Sequence, residues 1–591
     1  MPSTDPIRHA PNLNHAWAAL LAEELARLGI KDIFLSPGSR STPLAIAVAS
    51  HPALRVHVHF DERGTAFAAL GCALGSESTT ALICTSGSAA ANYLPAVVEA
   101  SQSHVPLLLL TADRPPELLD CGANQAIAQQ GLFGAYTRWE AQVPCPDLSI
   151  TPAHALTTLD QAVARTRTPI AGPVHLNCMF REPLAPVDCP WPATWLDPLC
   201  HWLESPHPFT RYALPSTTLP EAAEREMLGL VARGMSGLLV VGQLKWESER
   251  QAVAGLVRNA PWPVFADITS GLRTGIAAHE NIAYYDQLLQ EGSGEPYVPG
   301  FVLHLGGALV SKRLQHYLRT LAARGVPSVR VADHPLRHDP DHCVTHRFTC
   351  DLAPFCRWLA PILKPLPRTP GAEVVRAMES NAAATLAEAL DQGEELNELT
   401  VPRLLTQQRP PHSIIFAGNS MPVRDLDKFA DPRGAEGPVH ANRGASGIDG
   451  NLATVAGLSL GSERPVTAIV GDLTALHDLN SLALLQSCNR SVAIVIVNNN
   501  GGGIFSFLPV ADATPHFERL FGAPHGLGFE NAARLFNLAY AAPASRADFV
   551  DAYTRAMDHP GATIIEVRTD RTANVNAHRD LQILICTALE Y

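Results

Sequence analysis

Residues 468–503 read AIVGDLTALHDLNSLALLQSCNRSVAIVIVNNNGGG. The apolar run Val466 to Val470 has the length and composition of a buried strand. It delivers Gly471 and Asp472 to the start of a helix carrying Leu476, Leu479, Leu482 and Leu485. A second apolar strand, Val492 to Val497, delivers Asn498, Asn499, Asn500 and Gly501. In a parallel βαβ unit both sets arrive at the same carboxyl edge of the sheet. There the side-chain oxygens of Asp472 and Asn499 and the carbonyl of Gly501 form a set suited to one hard cation, for which Mg2+ is the natural choice. The free N–H groups at the helix start favour an anion beside it, so a phosphorylated ligand could be held through the metal without a lysine. The plain structural alternatives are an Asp that caps a helix and an Asn-Gly turn.

Outward from this segment the same alternation recurs. Toward the N-terminus, apolar positions Trp17, Leu20, Leu21, Leu25 and Leu28 repeat at helical spacing and stop at Gly29. Strand patterns follow at Asp32 to Leu35, Arg55 to Phe60, Thr80 to Thr85 and Val105 to Thr111, with helical patterns at Thr65 to Leu74 and after Gly87. A second block has strands at 237–241, 264–267, 301–305 and 328–332. A third adds strands at 413–417 and 563–567 to the two quoted above, after a helical stretch at 372–390. Alternation of this kind predicts an α/β protein of three domains, each a mostly parallel sheet with helices on both faces. The expected ranges are 1–185, a linker at 186–219 dense in Pro, Trp, Ser and His, a central domain at 220–370, and a third domain at 371–591. The first and third blocks share a layout in which glycine-containing loops follow apolar strands, which fits either duplication or generic architecture.

Composition bounds the function. The chain has 591 residues, enough for about four domains of ordinary size or fewer larger ones. At 46% apolar and 17% charged it can fill several cores and is no disordered chain. With 44 basic against 57 acidic residues the net charge is -13, which disfavours nucleic acid or an anionic membrane as partner. The 12 cysteines form no Cys-x-x-Cys pair and no zinc-ligand spacing, so reduced thiols are expected. No secretory h-region and no apolar run of bilayer length is present, and a cytoplasmic location is expected.

Strand, Gly-Asp, helix, strand, Asn-Asn-x-Gly resembles the diphosphate-binding motif of thiamine diphosphate (ThDP) enzymes, with Leu473 in place of the usual third glycine. Thiamine chemistry needs an acid beside N1′ of the aminopyrimidine, to promote the imino tautomer that removes the thiazolium C2 proton. Glu62, in the Asp61-Glu62-Arg63 triplet that follows a strand of the first block, is the candidate, with a solvated surface triplet as the alternative. The resemblance implies that the first domain binds the pyrimidine and the third the diphosphate, in a cleft between domains contributed by different subunits, hence a homodimer or a dimer of dimers. It also implies Ser86, Gly87, Asn419, Ser420, Asp472, Leu473, Thr474, Asn499 and Ile504 as cofactor contacts. Ile448 would be the bulky residue that bends the cofactor, and Asp472, Asn499 and Gly501 would hold Mg2+, with Mn2+ as the alternative ion.

Seven segments narrow the resemblance to the ThDP carboligase family of menaquinone biosynthesis. They are SPGSRSTP (36–43), HFDERG (59–64), TADRP (111–115), GANQAI (122–127), GNSMPVR (418–424), NRGASGIDG (442–450) and NNNGGGIF (498–505). Members of that family decarboxylate 2-oxoglutarate and add the resulting four-carbon unit to isochorismate. Both substrates are dicarboxylates, so a site that binds them in turn should collect cations. Arg40, Arg114, Arg424 and Arg443 lie in the matched segments, and Lys312 and Arg313 follow a strand of the central block. For any one arginine a surface ion pair is the alternative. By the resemblance Ser39, Arg40, Arg114, Asn124, Gln125, Ser420, Arg424 and Arg443 line the substrate site, Lys312 and Arg313 join them, and Gln125 lies near the reacting centre. Phe505 and Leu508, with Ile504, would form an apolar wall that excludes water. Arg273, Lys312 and Arg313 suggest a regulatory ligand on the central domain. An acetohydroxyacid synthase relative, a catalytically silent ThDP-fold binding protein and a dinucleotide-binding oxidoreductase are the other readings; the last lacks a G-x-G-x-x-G after a strand.

Overall fold

The computed structural model describes residues 5–233, 236–275, 278, 280–290, 297–486 and 488–589. Three parallel sheets carry the chain. The first contains β1 (Asp32–Leu35), β2 (Arg55–Val58), β3 (Thr80–Cys84), β4 (Leu107–Asp113), β5 (Trp139–Val143) and β6 (Pro173–Met179), in the order β2-β1-β3-β4-β6-β5. The second contains β7 (Gly237–Val241), β8 (Val264–Ala266), β9 (Phe301–Leu305), β10 (Ser328–Ala332) and β11 (His346–Thr349), in the order β11-β10-β9-β7-β8. The third contains β12 (Ile414–Ala417), β13 (Val439–His440), β14 (Val466–Gly471), β15 (Ser491–Asn498), β16 (Ala539–Ala541) and β17 (Gly561–Arg568), in the order β13-β12-β14-β15-β17-β16. The first and third sheets therefore share one strand order, which gives the likeness of the two sequence blocks a topological content. In each, the direction of crossover reverses after the first strand in sequence. That reversal opens a crevice at the carboxyl ends of β1 and β3 in one sheet and of β12 and β14 in the other, where ligands of such sheets bind.

Two compact units divide the chain: residues 1–215, 442–463 and 478–485 form one, and 216–441, 464–477 and 486–591 the other. The long helix expected after Gly471 is broken. An α-helix spans Asp472–His477 and a 3-10 helix spans Leu479–Leu485. The buried Asp478 between them turns its carboxylate to the Ala453 N–H (3.0 Å) and the Ser481 hydroxyl (2.9 Å), tertiary bonds that no local pattern announces. In the first unit, helix Glu62–Ser76 packs on helix Asn451–Ser462 through glycines. A Cβ on Gly71 would come 2.0 Å from the Thr454 carbonyl oxygen, and one on Gly457 would come 1.9 Å from that of Ala68. Only glycine permits backbones that close.

The stretch 186–219, expected as a linker, is partly structured. A 3-10 helix at Ala193–Leu199 and a short helix at Cys200–Glu204 bury Trp195, Leu199 and Trp202 in the core of the first unit. The buried Glu24 anchors it, accepting hydrogen bonds from Trp202 Nε1 (2.8 Å) and the Phe209 N–H (2.5 Å), while Asp160 takes the Thr210 N–H (2.7 Å). Burial, and a hydrogen bond shared with Asp160, push the Glu24 pKa up to about 8, from an ordinary value of 4.5. Asp160 Oδ1 is buried without a hydrogen-bond partner, which leaves it free to share a proton with Glu24. The folded pKa lies above the unfolded one, so the stabilisation is complete below about pH 4.5 and is lost as pH rises through about 8. Urea midpoints measured between pH 6 and 9 are expected to fall for the wild type and to fall less for Glu24→Gln. Equal slopes would contradict the shared proton.

Candidate active site

In the first unit the loop after β1 turns at Gly38, whose Cβ, if present, would lie 2.3 Å from Thr85 Cβ, so the loops after β1 and β3 touch across the crevice. Ser39 is exposed beside it. Arg40 is buried there; its N–H donates to Thr85 Oγ1 (3.2 Å) and its Nη1 to the Phe180 carbonyl (3.1 Å). The buried Arg114, one residue past β4, donates from Nη1 to Ser86 Oγ. Burial, and then the charge of Arg40, push the Arg114 pKa down, so two guanidiniums stand close enough to repel. The carboxylate that pairs with Arg40 belongs to Glu182, at 3.4 Å, and is 70% exposed. Two buried guanidiniums, offset only by the exposed Glu182 and by Asp113 beside Arg114, suit an anion at this crevice.

Ser86 is fixed from both sides by Gln125. Its Oγ donates to the Gln125 carbonyl (3.0 Å), and Gln125 Nε2 donates to the Ser86 carbonyl (2.9 Å). Gln125 holds a left-handed backbone, φ 57°, and Gly87 has φ 83° with no room for a Cβ against Gln125 Cγ. Asn124, next to it, is exposed. Glu62 is the first residue of its helix. The strand before it ends at Val58, earlier than expected, and Asp61 caps the helix by accepting the Arg63 N–H at 2.9 Å. Glu62 is half-buried, and its charge is near enough to add to burial in raising the pKa values of the buried Cys84 and Tyr93. Also in this unit, Arg443 and Ile448 lie on the loop before helix Asn451–Ser462, with Ile448 37% exposed.

In the second unit Asp472 starts its helix at the carboxyl end of β14. Its Oδ1 accepts the Leu473 N–H (2.6 Å), and its Oδ2 accepts the Gly501 N–H (2.8 Å) and lies 3.1 Å from His525 Nε2. Asn499 is buried. Its Nδ2 donates to Glu398 Oε1 (3.0 Å), which leaves Oδ1 buried without a partner. A buried amide oxygen left unsatisfied, on the same sheet edge as a buried carboxylate that meets the Gly501 backbone, fits a hard cation. Gly501, φ 134°, approaches Gly522 so closely that a Cβ would lie 2.0 Å from its carbonyl oxygen. Leu473 is half-buried and Thr474 buried on the same turn.

Across the crevice, the loop after β12 holds the buried Asn419 and the half-buried Ser420. Ser420 has φ 73°, a strained value for a residue with a side chain, and its carbonyl accepts Arg424 Nη1. Ile504 and Phe505 lie on a 3-10 turn, Gly503–Phe507, that follows Asn499, with Leu508 exposed at its end. Lys312 and Arg313 open helix Lys312–Ala323. Lys312 is exposed, while Arg313 Nη1 bonds the buried Asp286 at 2.9 Å.

Three family models match the chain in sequence. Residues 16–132 match the thiamine pyrophosphate (that is, thiamine diphosphate) enzyme N-terminal TPP binding domain, 193–417 the middle domain of thiamine pyrophosphate, and 430–567 the thiamine pyrophosphate enzyme C-terminal TPP binding domain. A protein of Rubrobacter xylanophilus named 2-succinyl-5-enolpyruvyl-6-hydroxy-3-cyclohexene-1-carboxylate synthase is 47% identical over 578 residues, covering 97% of this chain and 98% of the relative. One of Salinibacter ruber with the same name is 43% identical, covering 98% of each. The chain belongs to the 2-succinyl-5-enolpyruvyl-6-hydroxy-3-cyclohexene-1-carboxylate synthase family of thiamine diphosphate enzymes. A solved thiamine diphosphate-dependent 4-hydroxybenzoylformate decarboxylase of Rhodococcus jostii RHA1 shares the fold, with TM-score 0.70 at 18% identity over 94% of this chain and 99% of that one.

Several residues that support the site in this synthase family member escaped the sequence reading. Glu99, buried in helix Leu94–Gln102, accepts the N–H groups of Gly444 (2.8 Å) and Ala445 (2.6 Å) and so holds the loop that bears Arg443 and Ile448. Gln129 accepts the Gly87 N–H (2.8 Å) and donates to Asn177 Oδ1 (2.8 Å). Asn177 in turn donates to Asp113 (2.8 Å), next to Arg114. Glu398, pushed up to about 7 chiefly by burial, takes Asn499 Nδ2 and Thr569 Oγ1 and sets the amide's orientation. His525 on Asp472 had a signal, a histidine in a Pro-His-Gly turn, but nothing in its own neighbourhood tied it to residue 472.

Proposed function

We propose that the chain is a ThDP- and Mg2+-dependent transferase that decarboxylates 2-oxoglutarate and adds the succinyl unit to isochorismate by 1,4-addition, giving 2-succinyl-5-enolpyruvyl-6-hydroxy-3-cyclohexene-1-carboxylate. The activity is the one in the names of relatives 47% and 43% identical over nearly the whole chain. The observation that carries the substrate assignment is the pair of buried guanidiniums, Arg40 and Arg114, at the crevice of the first sheet, because a 2-oxo acid with a second carboxylate needs a cation that pyruvate does not.

When bound, ThDP supplies the electron sink that lets a 2-oxo acid lose CO2 and its acyl remnant bond to a second substrate. Glu62, at the start of its helix, holds and exchanges the proton at N1′ of the cofactor's pyrimidine. Asp472 and the free oxygen of Asn499, with Gly501, hold Mg2+, and Mn2+ has the same oxygen preference. Asn419, Ser420, Leu473 and Thr474 serve the diphosphate, Ser86 and Gly87 the pyrimidine end, and Ile448 the bend. Arg40, Arg114, Arg424 and Arg443, with Lys312 and Arg313, bind the carboxylates in turn, and Gln125, held against Ser86, lies near the reacting centre. Ile504, Phe505 and Leu508 keep water from the reacting carbon.

A homodimer or dimer of dimers and a cytoplasmic location belong to the same reading. Among the described residues no helix is long and apolar enough to cross a membrane. Sedimentation at micromolar concentration is expected to give a dimer or tetramer.

The test is donor choice with isochorismate as acceptor. 2-Oxoglutarate should react, pyruvate should not, and EDTA should abolish turnover until Mg2+ is restored. Turnover of pyruvate alone would point to an acetohydroxyacid synthase relative. Arg114→Ala is expected to lower kcat/KM for 2-oxoglutarate by about 100-fold, the effect of removing one partner of a desolvated charge pair. A loss under threefold would remove Arg114 from the substrate site.

A further inference from the structure

The second unit contains a cavity of about 220 Å3 lined by Arg313, Lys428, Phe429, Phe507, His578 and Arg579 among others. Of these only Arg313 has a part in the reaction proposed above. Three rings form its apolar wall. The His578 ring lies 5.2 Å from that of Phe429 and 5.0 Å from that of Phe507, centroid to centroid, tilted by 57° and 79°. Phe507 leaves the 503–507 turn in a different direction from Phe505: Phe505 packs on Phe521 at 5.6 Å, and residues two apart on a 3-10 helix point roughly 120° apart.

Cations rim the wall. Arg313 is engaged by the buried Asp286, and His578 Nε2 stands 3.4 Å from Asp425 Oδ1. Lys428 and Arg579 have no hydrogen-bonded or ion-paired partner among the described residues; Lys428 feels the Asp286 charge only through space. Asp286 is shared between Arg313, Lys428 and the Ser311 hydroxyl, so the cavity keeps net positive charge beside a flat apolar surface.

We propose that this cavity binds a small carboxylate carried on a flat six-membered ring, with the ring against Phe429, Phe507 and His578 and the carboxylate between Lys428 and Arg579. Aromatic faces supply area for the ring, and two otherwise unpartnered cations supply charge-assisted hydrogen bonds. The inference does not depend on the proposed reaction, since neither Lys428 nor Arg579 is assigned a role in it.

Benzoate is the probe, titrated calorimetrically into the full-length protein. Binding with a dissociation constant below about 1 mM is expected. Lys428→Met and Arg579→Ala should each weaken it about tenfold or more and the double variant should abolish it, with far-UV circular dichroism unchanged. Succinate, which has the charge without the ring, should bind the cavity at least about tenfold more weakly than benzoate. Absence of benzoate binding to the wild type would overturn the proposal. So would an affinity that survives in the folded double variant, because the site would then lie elsewhere.

Discussion

Replacing Glu62 by Gln is expected to lower turnover of 2-oxoglutarate by about 10²- to 10⁴-fold, the range for removing a positioned proton carrier, while leaving the fold intact. The substitution is nearly isosteric and Glu62 is only half-buried at the first position of its helix. The cap is made by Asp61, so the helix start survives, and the melting temperature should shift by no more than a degree or two. Cofactor affinity should change little, because the diphosphate end does not use Glu62. A fall in kcat with ThDP binding retained, read in the same preparation by cofactor titration, separates a proton-handling role from a structural one. Turnover within threefold of wild type would remove Glu62 from the mechanism.

Replacing Asp472 by Asn is expected to have the opposite signature. The side chain keeps its shape but loses the charge proposed to hold the metal together with the unpartnered Asn499 oxygen, so Mg2+ and ThDP should bind at least about 100-fold more weakly. Activity should then be recovered in part at high Mg2+ and ThDP, which Glu62→Gln cannot do. His525, 3.1 Å from the same carboxylate, adds a control. If His525→Ala binds Mg2+ like the wild type while Asp472→Asn does not, the carboxylate holds the metal and the histidine is a neighbour. Undiminished Mg2+ affinity in Asp472→Asn would place the metal elsewhere.

What could be read from the sequence was what is written locally. Apolar strands ending in Gly-Asp or Asn-Asn-x-Gly carry their own chemistry, because a strand fixes which edge its last residue reaches. Asp472 and Gly501, assigned to one sheet edge from their positions after two strands, lie within a hydrogen bond of each other. The pairing of Arg40 with Arg114 was legible only as a group of motif arginines; their convergence depends on Gly38 and Thr85 bringing two loops together. Glu99, Gln129 and Glu398 were not legible, since each acts on a segment far away in sequence and none sits in a motif. The same holds for the break at Asp478, where a bond to the Ala453 N–H outweighs a continuous leucine pattern. The edge strands β5, β13 and β16 also escaped. They are two to five residues long and only partly follow an apolar pattern, and pairing with a neighbour rather than composition makes them strands.

The most direct test of the central claim is the stoichiometry of carboligation. Holoprotein with ThDP and Mg2+ is given 2-oxoglutarate and limiting isochorismate, and CO2 release is followed alongside loss of isochorismate absorbance. The account predicts one CO2 for each isochorismate consumed and a product whose mass is the sum of both substrates less CO2. CO2 released without loss of isochorismate, or no reaction of 2-oxoglutarate while ThDP is bound, would contradict it.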